Sequence, residues 1–273
     1  MLFSLLFAVG CVKQAPVTDP GVAHPLRYML ALPADAISWN PIDPAQPDGV
    51  LLAVASGDPA TGPSVLLMSF PGGSQAPLHT HSATYTAIVL AGAPAHGVSA
   101  EDNLTLDVGS YWVQPGGEPH FDACTGAERC VLALAFEGPR DFALAEAPSA
   151  EAAKMTIVRS AEVAFNPVMP DVPDVPELAV LRGDPATGAF VSMMRFPAGY
   201  AAGRHSHDAS YTGGVITGDY QHGDDYGMVD LGPGAVWWQD AAAIHDDVCG
   251  LEAPCLTFQV VDGPMSFHPA DAE

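Results

Sequence analysis

Positive charge is scarce in this chain. Nine Lys and Arg stand against 32 Asp and Glu in 273 residues, a formal charge of −23. Phosphate backbones and anionic head groups are repelled over most of such a surface, which argues against nucleic acid as a partner. Also lacking is any apolar run of the roughly 18 residues that a bilayer span requires. The most apolar stretch, Met1 to Gly10, gives way at once to Cys11-Val12-Lys13-Gln14. No integral membrane helix is expected, and membrane contact is left to a lipid anchor. Long helix-forming stretches are missing too, because 27 Gly and 26 Pro are scattered between short β-branched runs. That pattern reads as a turn-rich β protein. With 48% hydrophobic residues there is material for one large or two small cores. The acidity itself reads as solubility or adaptation to salt.

Cysteine is sparse as well, with five in the chain. Cys11 ends a short apolar leader, Leu2 to Gly10, and this segment resembles the end of a bacterial lipoprotein signal. The resemblance implies cleavage before Cys11, acylation of its thiol, and export to the cell envelope or periplasm. No Lys or Arg precedes the apolar run, which points to a start codon further upstream. The other four cysteines form two C-x5-C pairs around turn-like stretches, Cys124 with Cys130 and Cys249 with Cys255. If exported, they read as two hairpin disulfides; the alternatives are buried reduced pairs or thiolates on a metal.

The chain is an internal duplication. Gly57-Asp58-Pro59-Ala60-Thr61-Gly62 recurs unchanged as Gly183-Asp184-Pro185-Ala186-Thr187-Gly188, an offset of 126. The same shift takes His79 to His205, His81 to His207, Tyr85 to Tyr211 and His96 to His222. After the loss of one residue the offset is 125, taking Trp112 to Trp237, His120 to His245 and each cysteine pair to its counterpart. A repeat this long is a whole domain. The expected organisation is a signal segment over 1–10, a lipidated tether over 11–26, and like domains over 27–150 and 151–273. Eight of the ten histidines are paired between repeats, leaving His24 and His268. Histidines serving only solubility would have drifted, so a shared site is indicated.

His79-Thr80-His81 and His205-Ser206-His207 put two imidazoles on one face of an extended strand, where both can reach one metal ion. A third ligand must come from elsewhere. His120 follows a tight glycine- and proline-rich turn that would start a new strand and aim its side chain inward, and His245 is its counterpart in the second copy. In the first copy these residues spell Gly73-x5-His79-x-His81-x3-Tyr85-x6-Gly92 and Gly109-x5-Pro115-x-Gly117-x2-His120.

Those two motifs resemble the signatures of the cupin superfamily, and their double occurrence resembles a two-domain bicupin over about residues 27–273. The resemblance implies an all-β fold of two tandem jelly-roll barrels. It also implies a divalent metal ion (Fe, Zn, Mn or Cu) on His79, His81 and His120, and a second on His205, His207 and His245. Where many cupins carry a glutamate ligand, this sequence has Tyr85 and Tyr211, so the carboxylate is expected to be lost from both sites. The two tyrosines either donate a hydrogen bond to a bound anion in catalysis or fill the barrel. His96, His222, Trp112 and Trp237 are pocket-wall candidates or core residues. The second copy has Asp240 and Ala242 in place of Pro115 and Gly117, so its backbone is expected to differ there.

Three neutral imidazoles leave a divalent charge uncancelled, which favours small anionic or chelating ligands. The arrangement resembles the three-histidine dioxygenases among the cupins, acting on a small anionic or enolisable compound. Loss of the carboxylate argues against manganese oxalate chemistry. The other reading is a non-catalytic metal and small-ligand binding or sensing lipoprotein. Oligomeric state is not legible.

Overall fold

A computed structural model describes residues 29–148 and 155–270. The leader, the tether with Cys11, and both ends of the 150/151 boundary lie outside the described residues. Apart from short 3-10 turns at Ala34–Ala36 and Ser160–Glu162, the described regular structure is β. Each repeat builds one seven-stranded antiparallel sheet and one three-stranded sheet, as the all-β tandem expectation requires.

In the first repeat the large sheet runs, edge to edge, through Thr156–Val158, Tyr111–Gln114, Tyr85–Ala91, Cys130–Phe136, Ser64–Phe70, Leu51–Gly57 and Asn40–Pro41. The small sheet is Phe121–Cys124, Pro94–Gly97 and Asn103–Thr105. Asp58 shapes the turn between Leu51–Gly57 and Ser64–Phe70, its carboxylate accepting from Ala60 N at 2.9 Å and Thr61 Oγ1 at 2.8 Å. Asp184 does the same for Ala186 and Thr187, which accounts for the identical turn in both copies.

The apolar runs are continuous because both faces of the large sheets are buried. Leu66, Met68, Val89, Leu132 and Leu134 point into the first barrel. The alternate residues Val65, Leu67, Ile88 and Ala133 pack instead with Ala179, Val191, Met193 and Phe258 of the second repeat. One core therefore lies between the barrels. Ser56 Oγ and Thr212 Oγ1 meet across it at 2.6 Å, and Arg182 pairs with Glu137 at 2.7 Å.

The sheets do not divide where the repeats do. Met29–Leu32, at the start of the first repeat, pairs with Val236–Gln239 of the second. Reciprocally, Thr156–Val158 of the second repeat pairs with Tyr111–Gln114 of the first. Each repeat lends its opening strand to the other's sheet.

Both cysteine pairs are disulfides, Cys124–Cys130 and Cys249–Cys255, each with Cα atoms 5.7 Å apart. Each joins the strand that follows a triad histidine to the next strand of the large sheet. Among the described residues no helix is long and apolar enough to cross a membrane.

Candidate metal centres

A short strand carries the first histidine of each triad and ends just before the second. His79–Thr80 pairs with Ala143–Leu144, and His205–Ser206 with His268–Pro269. The third histidine is brought in by the backbone itself. His79 N donates to His120 O at 3.1 Å and His120 N to His79 O at 2.9 Å. His205 and His245 exchange the same two bonds at 2.9 Å each. As a result the ligand atoms of His79, His81 and His120 lie within 4.8 Å of one another, as do those of His205, His207 and His245.

Backbone carbonyls fix which nitrogen of each ring is free. His79 Nδ1–H donates to Pro77 O at 2.8 Å, His120 Nδ1–H to Glu118 O at 3.1 Å, and His81 Nδ1–H to Asp141 O. In the second barrel the acceptors are Gly203 O for His205, Ser266 O for His207 and Ala243 O for His245. With Nδ1 protonated, each Nε2 of a neutral ring carries the lone pair, the tautomer a metal ligand needs. Phe142 stacks on the His79 ring and Phe267 on the His205 ring, both with centroids 4.5 Å apart. These paired aromatics cover each triad on one side and were not singled out from the sequence.

The motif glutamate is absent from both barrels, yet a carboxylate stands beside each triad. Tyr85 and Tyr211 do occupy the motif position, but a carboxylate reaches the site from another strand. Asp122 lies two residues beyond His120, on the same face of its strand. Its Oδ2 is 3.5 Å from His79 Nε2 and 3.6 Å from His120 Nε2. Asp247 repeats this at 3.4 Å from His205 and 3.6 Å from His245. The pairing of Asp122 with Asp247 at offset 125 was available in the sequence. In so acidic a chain one more aspartate drew no notice.

His96 and His222 stand behind these carboxylates. His96 Nδ1 is 2.7 Å from Asp122 Oδ1, and its Nε2 is 3.2 Å from Gln114 Oε1. The Gln114 amide is oriented by its Nε2, which donates to Glu118 O at 3.0 Å. Both nitrogens of His96 thus face side-chain oxygens. His222 sits in the same way between Asp247 Oδ1 at 2.6 Å and Gln239 Oε1 at 3.2 Å. Although burial alone would push the two carboxyls up, the charge and hydrogen bond of these histidines hold Asp122 and Asp247 well below the usual carboxylate range.

Burial also drives His120 and His245 down to about 3 and lowers His79, His81 and His207, which keeps those imidazoles neutral. His205 is the exception, since the Asp247 hydrogen bond and charge outweigh burial and raise it. Tyr85 and Tyr211 are buried and raised well above 10, so both remain protonated. Tyr85 OH lies 3.1 Å from His120 Nε2 and accepts from Trp112 Nε1 at 3.4 Å; Tyr211 OH lies 3.2 Å from His245 Nε2.

The donor set fits a divalent cation. In the first barrel the ligand nitrogens of three neutral imidazoles converge, and an ionised carboxylate oxygen stands beside the Nε2 atoms of His79 and His120. Two donors each about 2.0–2.2 Å from a tetrahedral ion are about 3.4 Å apart, close to the observed carboxylate to imidazole spacing.

The motif turn before the third histidine is the same in both barrels, against expectation. Gly117 N donates to His81 O at 2.7 Å and Ala242 N to His207 O at 2.7 Å. Gly117 has φ 77°, and Ala242 is held at φ 61° despite its side chain.

The family described as a domain of unknown function, DUF4437, matches residues 31–245 of this chain, and the chain belongs to it. No curated protein matches by sequence. Among solved structures, the chain is similar to a candidate dioxygenase from Nostoc punctiforme, with TM-score 0.69 and 16% identity over 90% of this chain and 87% of that one. It is similar to the oxalate decarboxylase of Lactobacillus farciminis in its formate complex, with TM-score 0.57 and 14% identity over 92% and 89%. A cupin 2 conserved barrel domain protein from Leptotrichia buccalis matches with TM-score 0.54 and 12% identity over 78% and 88%. At these identities the likeness is one of fold, and that fold is the cupin jelly roll.

Proposed function

We propose that this DUF4437 protein is a metal-dependent bicupin of the cell envelope that transforms a small anionic or enolisable compound by dioxygenase-like chemistry. The observation that carries the reading is the set of carbonyl-held imidazoles, which turns three Nε2 atoms per barrel toward one point beside a carboxylate. A bound redox-active ion would supply one-electron chemistry toward dioxygen, and zinc would supply Lewis-acid polarisation. His79, His81 and His120 would hold the ion in the first barrel, with the Asp122 carboxylate beside two of them. His205, His207 and His245 would do so in the second, with Asp247 beside His205 and His245.

The chain's own groups supply the rest. Tyr85 OH now donates to His120 Nε2. Once that lone pair is engaged elsewhere the hydroxyl is released, protonated, to donate to an anionic oxygen beside it. His96 holds Asp122 in its charged form and fixes its rotation. Phe142 keeps bulk water from one side of the His79 ring. The disulfides support an oxidising compartment, and the lipoprotein-like leader supports anchoring through Cys11.

Metal analysis of protein purified without chelators, followed by oxygen consumption on a panel of diketones, thiols and small organic acids, tests the reading. Bound redox-active metal and turnover of one class are expected. Retention of metal and ligand without turnover would favour a binding module, and absence of metal at both triads would reject the reading.

A further inference from the structure

Building on that metal reading, we propose that the two barrels have diverged. The second barrel takes the ligand, a small anion with an apolar body, while the first barrel is filled by its own side chains. Three pairs of equivalent positions carry the argument. Leu66 faces Leu134 across neighbouring strands of the first barrel, both buried with Tyr85 and Trp112. In the same register of the second barrel, Ser192 faces Gln259. Phe136 stacks on Tyr85 with centroids 4.9 Å apart and meets His81 edge-on at 5.4 Å. Its equivalent is Val261, which has no ring to place there.

The space so released is a cavity of about 340 Å³ whose wall includes Ser192, Gln259, Val261, Trp237, His205 and His207. Trp237 contributes by lying against Gly213, where a Cβ would come within 2.2 Å of the indole. The first barrel has Ala87 at that position. Trp112 donates to Tyr85, whereas the Trp237 Nε1–H, also buried, has no acceptor in hydrogen-bonding geometry among the described residues. The rims differ in kind as well. Met169 and Met265, 45% and 42% exposed, line the second mouth. The first barrel has Asp43 and Arg140 in their places, and the Arg140 charge acts on both His79 and His81.

The ligand's chemistry follows from these walls. The volume lies at the small end of the roughly 300–1,000 Å³ usual for small-molecule sites. Phe190, Met194 and Phe196 supply an apolar lining. Ser192 Oγ donates to Gln259 Oε1 at 3.1 Å, and Gln259 Nε2 to Thr257 Oγ1 at 2.7 Å. The pair is thereby satisfied, with one amide N–H and further oxygen lone pairs to spare for a ligand hydroxyl or carbonyl. At the far end a divalent ion on three imidazoles, with the single carboxylate of Asp247 beside it, keeps surplus positive charge for an anionic head.

The test uses full-length, ¹⁵N-labelled, zinc-loaded protein with both metals counted first, titrated with phenylacetate and, separately, acetate. The expected result is a saturable shift of the Trp237 indole N–H with Trp112 unmoved, and at least about tenfold weaker binding of acetate. Ser192→Leu with Gln259→Leu installs the pair the first barrel already tolerates. It should weaken phenylacetate at least about tenfold while the second metal stays. Val261→Phe should do so independently. Equal movement of Trp112, wild-type binding by both filled variants, or no saturation in metal-loaded protein would overturn the proposal. If neither triad holds metal, the metal reading has failed. The Trp237 shift in that metal-free protein then decides the cavity claim alone, upholding it by its presence and rejecting it by its absence.

Discussion

His96 and Asp122 are joined at 2.7 Å, directly opposite each other on adjacent strands, and that bond turns the second carboxylate oxygen toward the triad. Removing the charge while keeping the shape should therefore weaken the site without unfolding it. Asp122→Asn is expected to lower metal affinity of the first barrel by about 10- to 100-fold. Asp247→Asn should act likewise on the second. Competition against a chromophoric chelator measures both, and unchanged affinity would remove the aspartates from the donor set.

The two triads share no ligand, so they should fail separately. His79→Ala or His120→Ala should take the metal content from two per chain to one, leaving the second barrel loaded. Loss of both ions together would mean that the sites are coupled through the core between the barrels.

Acid should destabilise the metal-free protein, and the sign follows from the buried imidazoles. His120 and His245 titrate at about 3 when folded, against about 6.5 when unfolded. As pH falls below 6.5 the unfolded chain binds protons that the folded chain refuses. Stability then drops by up to about 1.4 kcal/mol per pH unit for each group, and this loss levels off near pH 3. Asp122, held low by His96, stabilises above about pH 3.9, and its contribution is lost as pH falls through its folded value. His205, raised by Asp247, works in the opposite sense below 6.5 and offsets part of the decline. Calorimetry of chelator-treated protein should show a melting temperature that falls from pH 7 to pH 4. A flat profile would contradict the burial of these rings.

Ala242 sits in a left-handed conformation that glycine occupies in the first barrel. Ala242→Gly should stabilise the protein by up to about 1 kcal/mol, the relief of the Cβ clash less the added freedom of the unfolded chain. Denaturant unfolding measures it, and a loss of stability would show that the alanine is not strained.

The triads and the doubled barrel were legible because period-two spacing and a long internal repeat are local, countable properties. Asp122 obeys the same spacing from His120 that joins His79 to His81. It lies outside the motif position where a carboxylate is usual, which Tyr85 fills, so nothing in the motif points to it. His96 and His222 were legible as paired residues, but their work is set by cross-strand register with Asp122 and Asp247, which depends on turn geometry between distant segments. The difference between Leu66–Leu134 and Ser192–Gln259 is plain in the aligned repeats. Its meaning emerges only when the four positions are known to face one interior. The turn at Ala242 was misread because a missing glycine implied a changed backbone, whereas the surrounding bonds hold the old one.

The exchanged opening strands impose an order on synthesis. Met29–Leu32 is the earliest-made described strand, yet its partner Val236–Gln239 follows about two hundred residues later. The first barrel's sheet can be completed once Val158 has emerged, because its borrowed strand comes next in the chain. The second barrel's sheet pairs with a segment made well before it and left unpaired in the meantime. A pairing of such high sequence separation is slow to find and leaves a sheet edge open to other chains. The second barrel, with its cavity, then gains its edge strand only when Met29–Leu32 docks on Val236–Gln239 from the far side of the first repeat.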